Sequence, residues 1–168
     1  GDRGDDVTSL ASQISNVPNR ITTDHAQIVI NGECVTDNDV DNFRNYVSGA
    51  LGLKSPIEFR QRNIKFIAHD ILSFKMNYLN KIDVLKNMGF FNVMDDKAWE
   101  YPCDGVVYRC NDWRKCLNLG YTSKYPRFAV ALKTREETTA ETILKDVLWT
   151  VGRTGQVSPT GVVDPVIL

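Results

Sequence analysis

The sequence lacks the features that would assign it to a membrane or secreted class. No run of about 18 apolar residues occurs anywhere in its 168 residues, so no transmembrane helix is expected. No signal peptide is visible after the first residue, Gly1. We therefore expect a cytoplasmic chain that has no membrane partner.

Cysteine and histidine are also scarce. The four cysteines lie at positions 34, 103, 110 and 116, and no two of them form a C-x-x-C pair. The two histidines, His25 and His69, are far apart in sequence. The sequence therefore predicts no metal site, and reduced thiols are the simpler interpretation of the cysteines.

An excess of charge of either sign is absent as well. The formal net charge is −1, so the whole molecule has no attraction for nucleic acid, and any DNA contact must come from a local patch. Hydrophobic residues make up 42% of the chain and charged residues 24%, which is typical of a globular protein. The length suggests one domain with a small appendage.

Capping residues and hydrophobic spacing predict short helices and strands in alternation. The helices are expected at residues 36–52, 77–89 and 112–119, the first of them capped by Thr36. The strands are expected at 27–34, 63–74, 104–110, 128–133 and 161–168. This order favours a mixed α+β fold with mostly antiparallel sheets. Glycine and proline become frequent after residue 138, which indicates a domain boundary there.

Two apolar runs carry charges at their ends. The first is Asp104-Gly105-Val106-Val107-Tyr108-Arg109, and the second ends in Pro126-Arg127-Phe128-Ala129-Val130-Ala131-Leu132-Lys133. Strands that deliver cations from their ends into one cleft are suited to gripping a phosphate. Together the runs resemble the D-G-V-V-x-K and P-R-W-A-x-A-x-K motifs in the adenylation domain of NAD-dependent DNA ligases. Arg109 stands where that family has lysine.

Further motifs of the same family follow in the same order along the chain. Gly32-Glu33 resembles the end of L-E-V-R-G-E, Arg44-Asn45 resembles the start of R-N-A-A-A-G, and His69 stands where the family often has an aromatic residue. The segment Val151-Gly152-Arg153-Thr154-Gly155 is similar to the opening of the ligase OB-fold. The resemblance implies a partial adenylation (nucleotidyltransferase) domain over residues 1–137 and the first strands of an OB-fold over 138–168.

The resemblance also implies a role for each matching residue. Lys133 and Arg109 would neutralise phosphate oxygens, and Asp104 would orient these cations or a magnesium-bound water. Glu33 would contact the AMP ribose, and His69 would stack on adenine, although a core histidine is an alternative. The residues implied to contact DNA are Arg44, Arg153 and Thr154.

The family's nucleophile, a lysine in K-x-D-G, has no clear counterpart. The nearest match is Lys81-Ile82-Asp83-Val84, which lacks the glycine and falls in a predicted amphipathic helix, so we expect Lys81 to be a surface lysine. The nucleophile and the nicotinamide-binding module would therefore come from a segment upstream of this fragment or from a second chain of a split ligase.

By this resemblance, the chain is part of a ligase of DNA replication and repair that seals nicks in double-stranded DNA. The implied steps are lysyl-AMP formation from NAD, transfer of AMP to the 5′-phosphate and sealing by the 3′-hydroxyl, with Mg²⁺ as helper. The alternative is a degenerate, non-catalytic subunit for DNA binding or assembly, which the absent nucleophile and the arginine at position 109 would suit.

Overall fold

A computed structural model describes residues 4–133 and 140–166 of the chain. Contacts between residues divide the chain into two units, residues 1–133 and residues 134–168, and each unit is described by itself. The boundary expected near residue 138 lies outside the described residues and stays a prediction.

Over these described residues the structure is a mixed α+β fold, as the sequence predicts, with three separate antiparallel pairs of strands. The helices are α1 (Thr8–Ala11), α2 (Phe43–Leu51), α3 (Pro56–Gln61), α4 (Tyr78–Asn87) and α5 (Trp113–Leu119), with a 3₁₀ turn at Asp96–Glu100. The strands are β1 (Ile30–Thr36), β2 (Ile64–Ile71), β3 (Gly105–Arg109), β4 (Ala129–Lys133), β5 (Leu144–Val151) and β6 (Val157–Val163). Among the described residues, no helix is long and apolar enough to cross a membrane.

The hydrophobic core of the first unit lies around the β1–β2 ribbon. One cluster packs α1, α2 and α3 around Val47, Phe59 and Ile64. A second cluster packs α4 on β2 through Ile71, Ile82 and Leu85. Helices thus cover this ribbon and bury the apolar side chains that their spacing placed on one face.

One predicted helix start and one predicted surface residue are wrong. Thr36 does not cap α2; it ends β1 and its hydroxyl donates to the carbonyl of Arg62, so the helix begins at Phe43 with Asn42 as its cap. In α4 the apolar residue Leu79 is exposed, whereas Lys81 is buried. Lys81 is therefore not the surface lysine that its position in the sequence suggested.

The second unit contains the β5–β6 hairpin. Its strands pair from Leu144 opposite Val163 to Val151 opposite Val157, and the turn between them contains Gly155 at a φ of +80°. The last strand was expected at 161–168 but begins at Val157, and residues 167–168 lie outside the described part. That this hairpin opens an OB-fold stays a prediction.

Candidate functional site

The β1–β2 ribbon places Glu33 and Asp70 on one face. Asn31 lies opposite Asp70, and residues two apart on a strand share a face, so Glu33 is on the face of Asp70. A bulge leaves His69 without a partner on β1. A bulge turns a side chain away from its regular direction, and this one lies beside two residues that can contact a ligand.

Asp70 is a buried carboxylate that holds two cations. Its Oδ2 lies 2.9 Å from an Nη of Arg109, and its Oδ1 lies 2.9 Å from Nζ of Lys81. Arg109 ends β3 and Lys81 lies in α4, so one carboxylate links β2 to both elements. Hydrogen bonds to ionised groups are stronger than neutral ones, and burial reduces their screening by water.

The two cations determine the charge of Asp70. Burial by itself raises the pKa of this carboxyl, but the hydrogen bonds and positive charges of Lys81 and Arg109 outweigh burial and lower the pKa below its ordinary value. Asp70 is therefore ionised at neutral pH, and the cluster carries one negative and two positive charges.

Arg109 is held by aromatic rings as well as by Asp70. Its guanidinium carbon lies 4.4 Å from the ring centre of Tyr78 and 5.4 Å from that of Phe128. The Tyr78 hydroxyl donates to the carbonyl of His69 over 3.0 Å. Arg109 Nε is buried and has no hydrogen-bond partner among the described residues. Arg109 is thus fixed in position and retains one unused donor.

The β3–β4 ribbon places Lys133 and Arg109 on the same face but at opposite ends. Gly105 lies opposite Lys133, and Arg109 lies opposite Ala129. Four residues separate the two cations, which corresponds to about 13 Å along a strand. The backbones of the two cations therefore lie at opposite ends of the ribbon rather than together at one end.

Gly105 permits this pairing. A Cβ atom at this position would lie 2.1 Å from the carbonyl oxygen of Leu132, so a side chain there would push the two strands apart. Asp104, the preceding residue, is exposed and lies at the Lys133 end of the ribbon. The Tyr101 hydroxyl, 2.5 Å from the Asp37 carboxylate beyond β1, anchors this segment. Burial and that carboxylate raise the pKa of Tyr101 to about 12, so the hydroxyl stays a donor.

The three residues expected to bind DNA lie in two different units. Arg44 is exposed in α2, within the first unit. Arg153 and Thr154 are exposed in the turn between β5 and β6, within the second unit. Their role in DNA binding stays a prediction.

A cavity of about 290 Å³ adjoins Arg109. Charged and aromatic side chains line it, among them Asp70, Lys81, Arg109, Trp113 and Phe128. Sequence reasoning missed Asp70, Lys81 and Tyr78. An aspartate inside an apolar strand and a lysine between apolar helix residues were the available signs, because such charges are rarely buried unless they are paired.

These features define an α+β domain of the adenylation, or nucleotidyltransferase, class. The family model of the NAD-dependent DNA ligase adenylation domain matches residues 94–137, which include both β3 and β4. The chain belongs to the NAD-dependent DNA ligase family.

Curated relatives match nearly the whole chain. It is 31% identical over 202 residues to DNA ligase 2 of Clostridium acetobutylicum, a match that covers 98% of the chain and 30% of that relative. It is 32% identical over 204 residues to a DNA ligase of Clostridium perfringens, with 98% and 30% covered. A DNA ligase of Brachyspira hyodysenteriae is 28% identical over 205 residues, with 99% and 31% covered. The chain thus spans about a third of the length of these relatives.

Proposed function

We propose that the chain is part or a subunit of an NAD-dependent DNA ligase that seals nicks in double-stranded DNA. It supplies residues that bind AMP and phosphate, and the nucleophilic lysine comes from another segment or chain. The observation that carries this proposal is the connection between two ribbon faces. Arg109 and Lys133 share one face of the β3–β4 ribbon, and Arg109 pairs with Asp70, which lies on the face of the β1–β2 ribbon that carries Glu33. Two ribbons so connected offer an elongated, cation-lined surface to a nucleotide.

Within this proposal each residue has a task that its position supports. Lys133 is exposed at the open end of the β3–β4 ribbon and neutralises phosphate oxygens during adenylyl transfer. Glu33 contacts the ribose, and His69 contacts adenine from the bulge. Arg109, held in place by Asp70, supplies positive charge at the opposite end of the β3–β4 ribbon from Lys133.

NAD is the adenylate donor in this proposal, and Mg²⁺ assists. Within residues 4–133 and 140–166, no three His, Cys, Asp or Glu side chains form a group that could hold a metal ion. These residues do not fit a resident metal site. A magnesium ion that relies mainly on substrate phosphates and water needs no such protein cage, and no step is assigned to it.

The contacts of Arg109 favour a second candidate, a non-catalytic ligase-like subunit that binds DNA or assembles with partners. Two of its groups, the ion-paired Nη and the guanidinium face between two rings, are already engaged within the chain. An arginine held in this way stabilises the domain whether or not a nucleotide binds.

Autoadenylation with NAD labelled in its AMP moiety tests the two candidates. The wild-type chain is assayed alone and together with a ligase segment that carries K-x-D-G. The variant Lys133→Ala is assayed together with the same segment. The enzyme proposal expects label on the added segment with the wild-type chain and a loss of about 100-fold or more with Lys133→Ala, as for removal of one charge-stabilising group.

Lys86→Ala is the matched control, because Lys86 is an exposed lysine in the last turn of α4, away from the β3–β4 ribbon. With Lys86→Ala, the added segment should be labelled to the same extent as with the wild-type chain. No label in any combination, together with retained DNA binding, would reject the enzyme in favour of the non-catalytic subunit.

A further inference from the structure

The turn between α5 and β4, residues 120–127, is closed by its own hydrogen bonds. The Thr122 hydroxyl accepts from the backbone N–H groups of Lys124 and Tyr125, at 3.3 and 2.8 Å. The Thr122 N–H donates to the Tyr125 carbonyl at 2.7 Å, and the Arg127 N–H donates to the Gly120 carbonyl at 3.0 Å. Gly120 has a φ of +63°, which glycine adopts without steric cost. The turn is therefore shaped before it meets any partner.

This rigid turn holds two tyrosines outward. Tyr125 is 70% exposed and Tyr121 is 68% exposed. The ring of Tyr121 meets Phe128 edge-on, with 5.3 Å between ring centres, so its orientation is fixed while most of its surface stays in solvent. An exposed, oriented aromatic ring is a stacking surface for another flat ring.

The segment around the turn is basic. From Trp113 to Lys133 the sequence contains no aspartate or glutamate, and its five basic residues are Arg114, Lys115, Lys124, Arg127 and Lys133. In the part of the chain that the structure describes, none of the first four lies within 4.0 Å of a carboxylate. A chain whose net charge is −1 thus concentrates unneutralised cations beside two exposed tyrosines.

We infer that the turn at residues 120–127 is a binding site for unpaired DNA, in which Tyr121 and Tyr125 stack on bases and Lys124 and Arg127 contact the phosphate backbone. Aromatic side chains interleaved with cations are the arrangement that binds single-stranded nucleic acid. The inference deepens the proposed function and rests on it for DNA as the ligand, because frayed ends at a nick present unpaired bases.

Fluorescence anisotropy with a labelled single-stranded DNA of about 12 nucleotides tests the stacking, since single-strand sites span roughly 4–16 nucleotides. The double variant Tyr121→Ala/Tyr125→Ala is expected to bind about tenfold or more weakly than wild type, with a smaller loss on a duplex of equal length. Tyr108→Ala is the control, because Tyr108 is a comparably exposed tyrosine (62%) on β3. Circular dichroism verifies that each variant is folded.

The cations are tested by the dependence of affinity on salt. For Lys124→Ala/Arg127→Ala, the slope of log affinity against log salt should fall in magnitude by about 1.4, or about 0.7 for each lost phosphate contact. Lys86→Ala should leave the slope unchanged.

Photocrosslinking to DNA that contains 5-iododeoxyuridine gives an independent readout. Crosslinks are expected in the tryptic peptides 116–124 and 125–127. Equal affinity of the tyrosine double variant and wild type, or failure of the wild-type chain to bind the single strand, would overturn the inference. Its failure is separable from that of the proposed function, because single-strand binding and autoadenylation of an added K-x-D-G segment are measured in separate assays.

Discussion

The β1–β2 and β3–β4 ribbons have the same antiparallel geometry but opposite surroundings. Helices cover the first, and its residues Ile67, Ala68 and Ile71 are buried. The second carries apolar residues as well, yet Val107, Val130 and Leu132 are exposed. An apolar run therefore predicts a strand in both places, whereas burial depends on what else the chain supplies to cover it.

The comparison assigns stability to one ribbon and, under the proposed function, ligand contact to the other. The core packs around the covered ribbon, and the open ribbon presents Lys133 to solvent. Asp70 and Arg109 connect the two at a single ion pair. Substitutions in each region should therefore differ greatly in their effect on stability.

The largest effect is expected in the helix-covered core. Phe59, in α3, is only 1% exposed, so Phe59→Ala should lower the free energy of unfolding by about 3–5 kcal/mol through lost burial and a cavity. Ile57→Ala on the same helix is the control, since Ile57 is 64% exposed and should change stability by about 0.5 kcal/mol or less. Urea unfolding measures both, and similar losses would contradict the assignment of the core.

The next largest effect is expected where the two ribbons meet. Asp70→Asn should cost about 3 kcal/mol, because it leaves the buried ammonium of Lys81 without a carboxylate. The double variant Asp70→Asn/Lys81→Met should recover part of the loss, since it also removes the unpaired charge. Additive losses in the same denaturation assay would show that the two side chains do not act as a pair.

A smaller effect is expected from pH. The pKa of Asp70 is lower in the folded state than the unfolded value of about 3.9, so its contribution is complete above about pH 5 and is lost as pH falls below the unfolded value. Wild type should therefore lose more stability between pH 6 and pH 3 than Asp70→Asn does. Parallel pH profiles of the two proteins would contradict this linkage.

The smallest effect is expected on the open ribbon. Val130 is 67% exposed on β4, so Val130→Ser should change the free energy of unfolding by about 0.5 kcal/mol or less. A loss greater than about 1 kcal/mol would show that this face is covered in solution, and the contrast between the ribbons would then disappear.

Sequence patterns predicted β1 to β4 to within about three residues because their apolar runs were bounded by turn residues, whereas β6 begins four residues before its predicted start. They missed α3, although Ser55 and Glu58 have the spacing of a capping box, and the Ser55 hydroxyl does accept from the Glu58 N–H at 3.4 Å. Six residues were too few to show helical periodicity. Thr36 was misread because its partner, the Arg62 carbonyl, lies 26 residues away.

The candidate site was predictable only in part, for a similar reason. Motif order predicted Glu33, Arg109 and Lys133 as site residues, and these roles stay predictions. Asp70 is 39 residues from Arg109, and only the folded chain brings them together. Linear spacing contains no information about such a contact, so the sequence predicted the cations and missed the carboxylate that positions one of them.

The contacts of Asp70 also constrain how the sequence can change over time. One carboxylate satisfies two buried or half-buried cations, so positions 70, 81 and 109 are not free to vary independently. Loss of the carboxylate leaves two cations without a partner, whereas loss of one cation still leaves the carboxylate paired with the other. Among relatives, an acidic residue at position 70 should therefore occur together with a cation at 81 or 109, and an uncharged residue there should accompany an uncharged residue at 81.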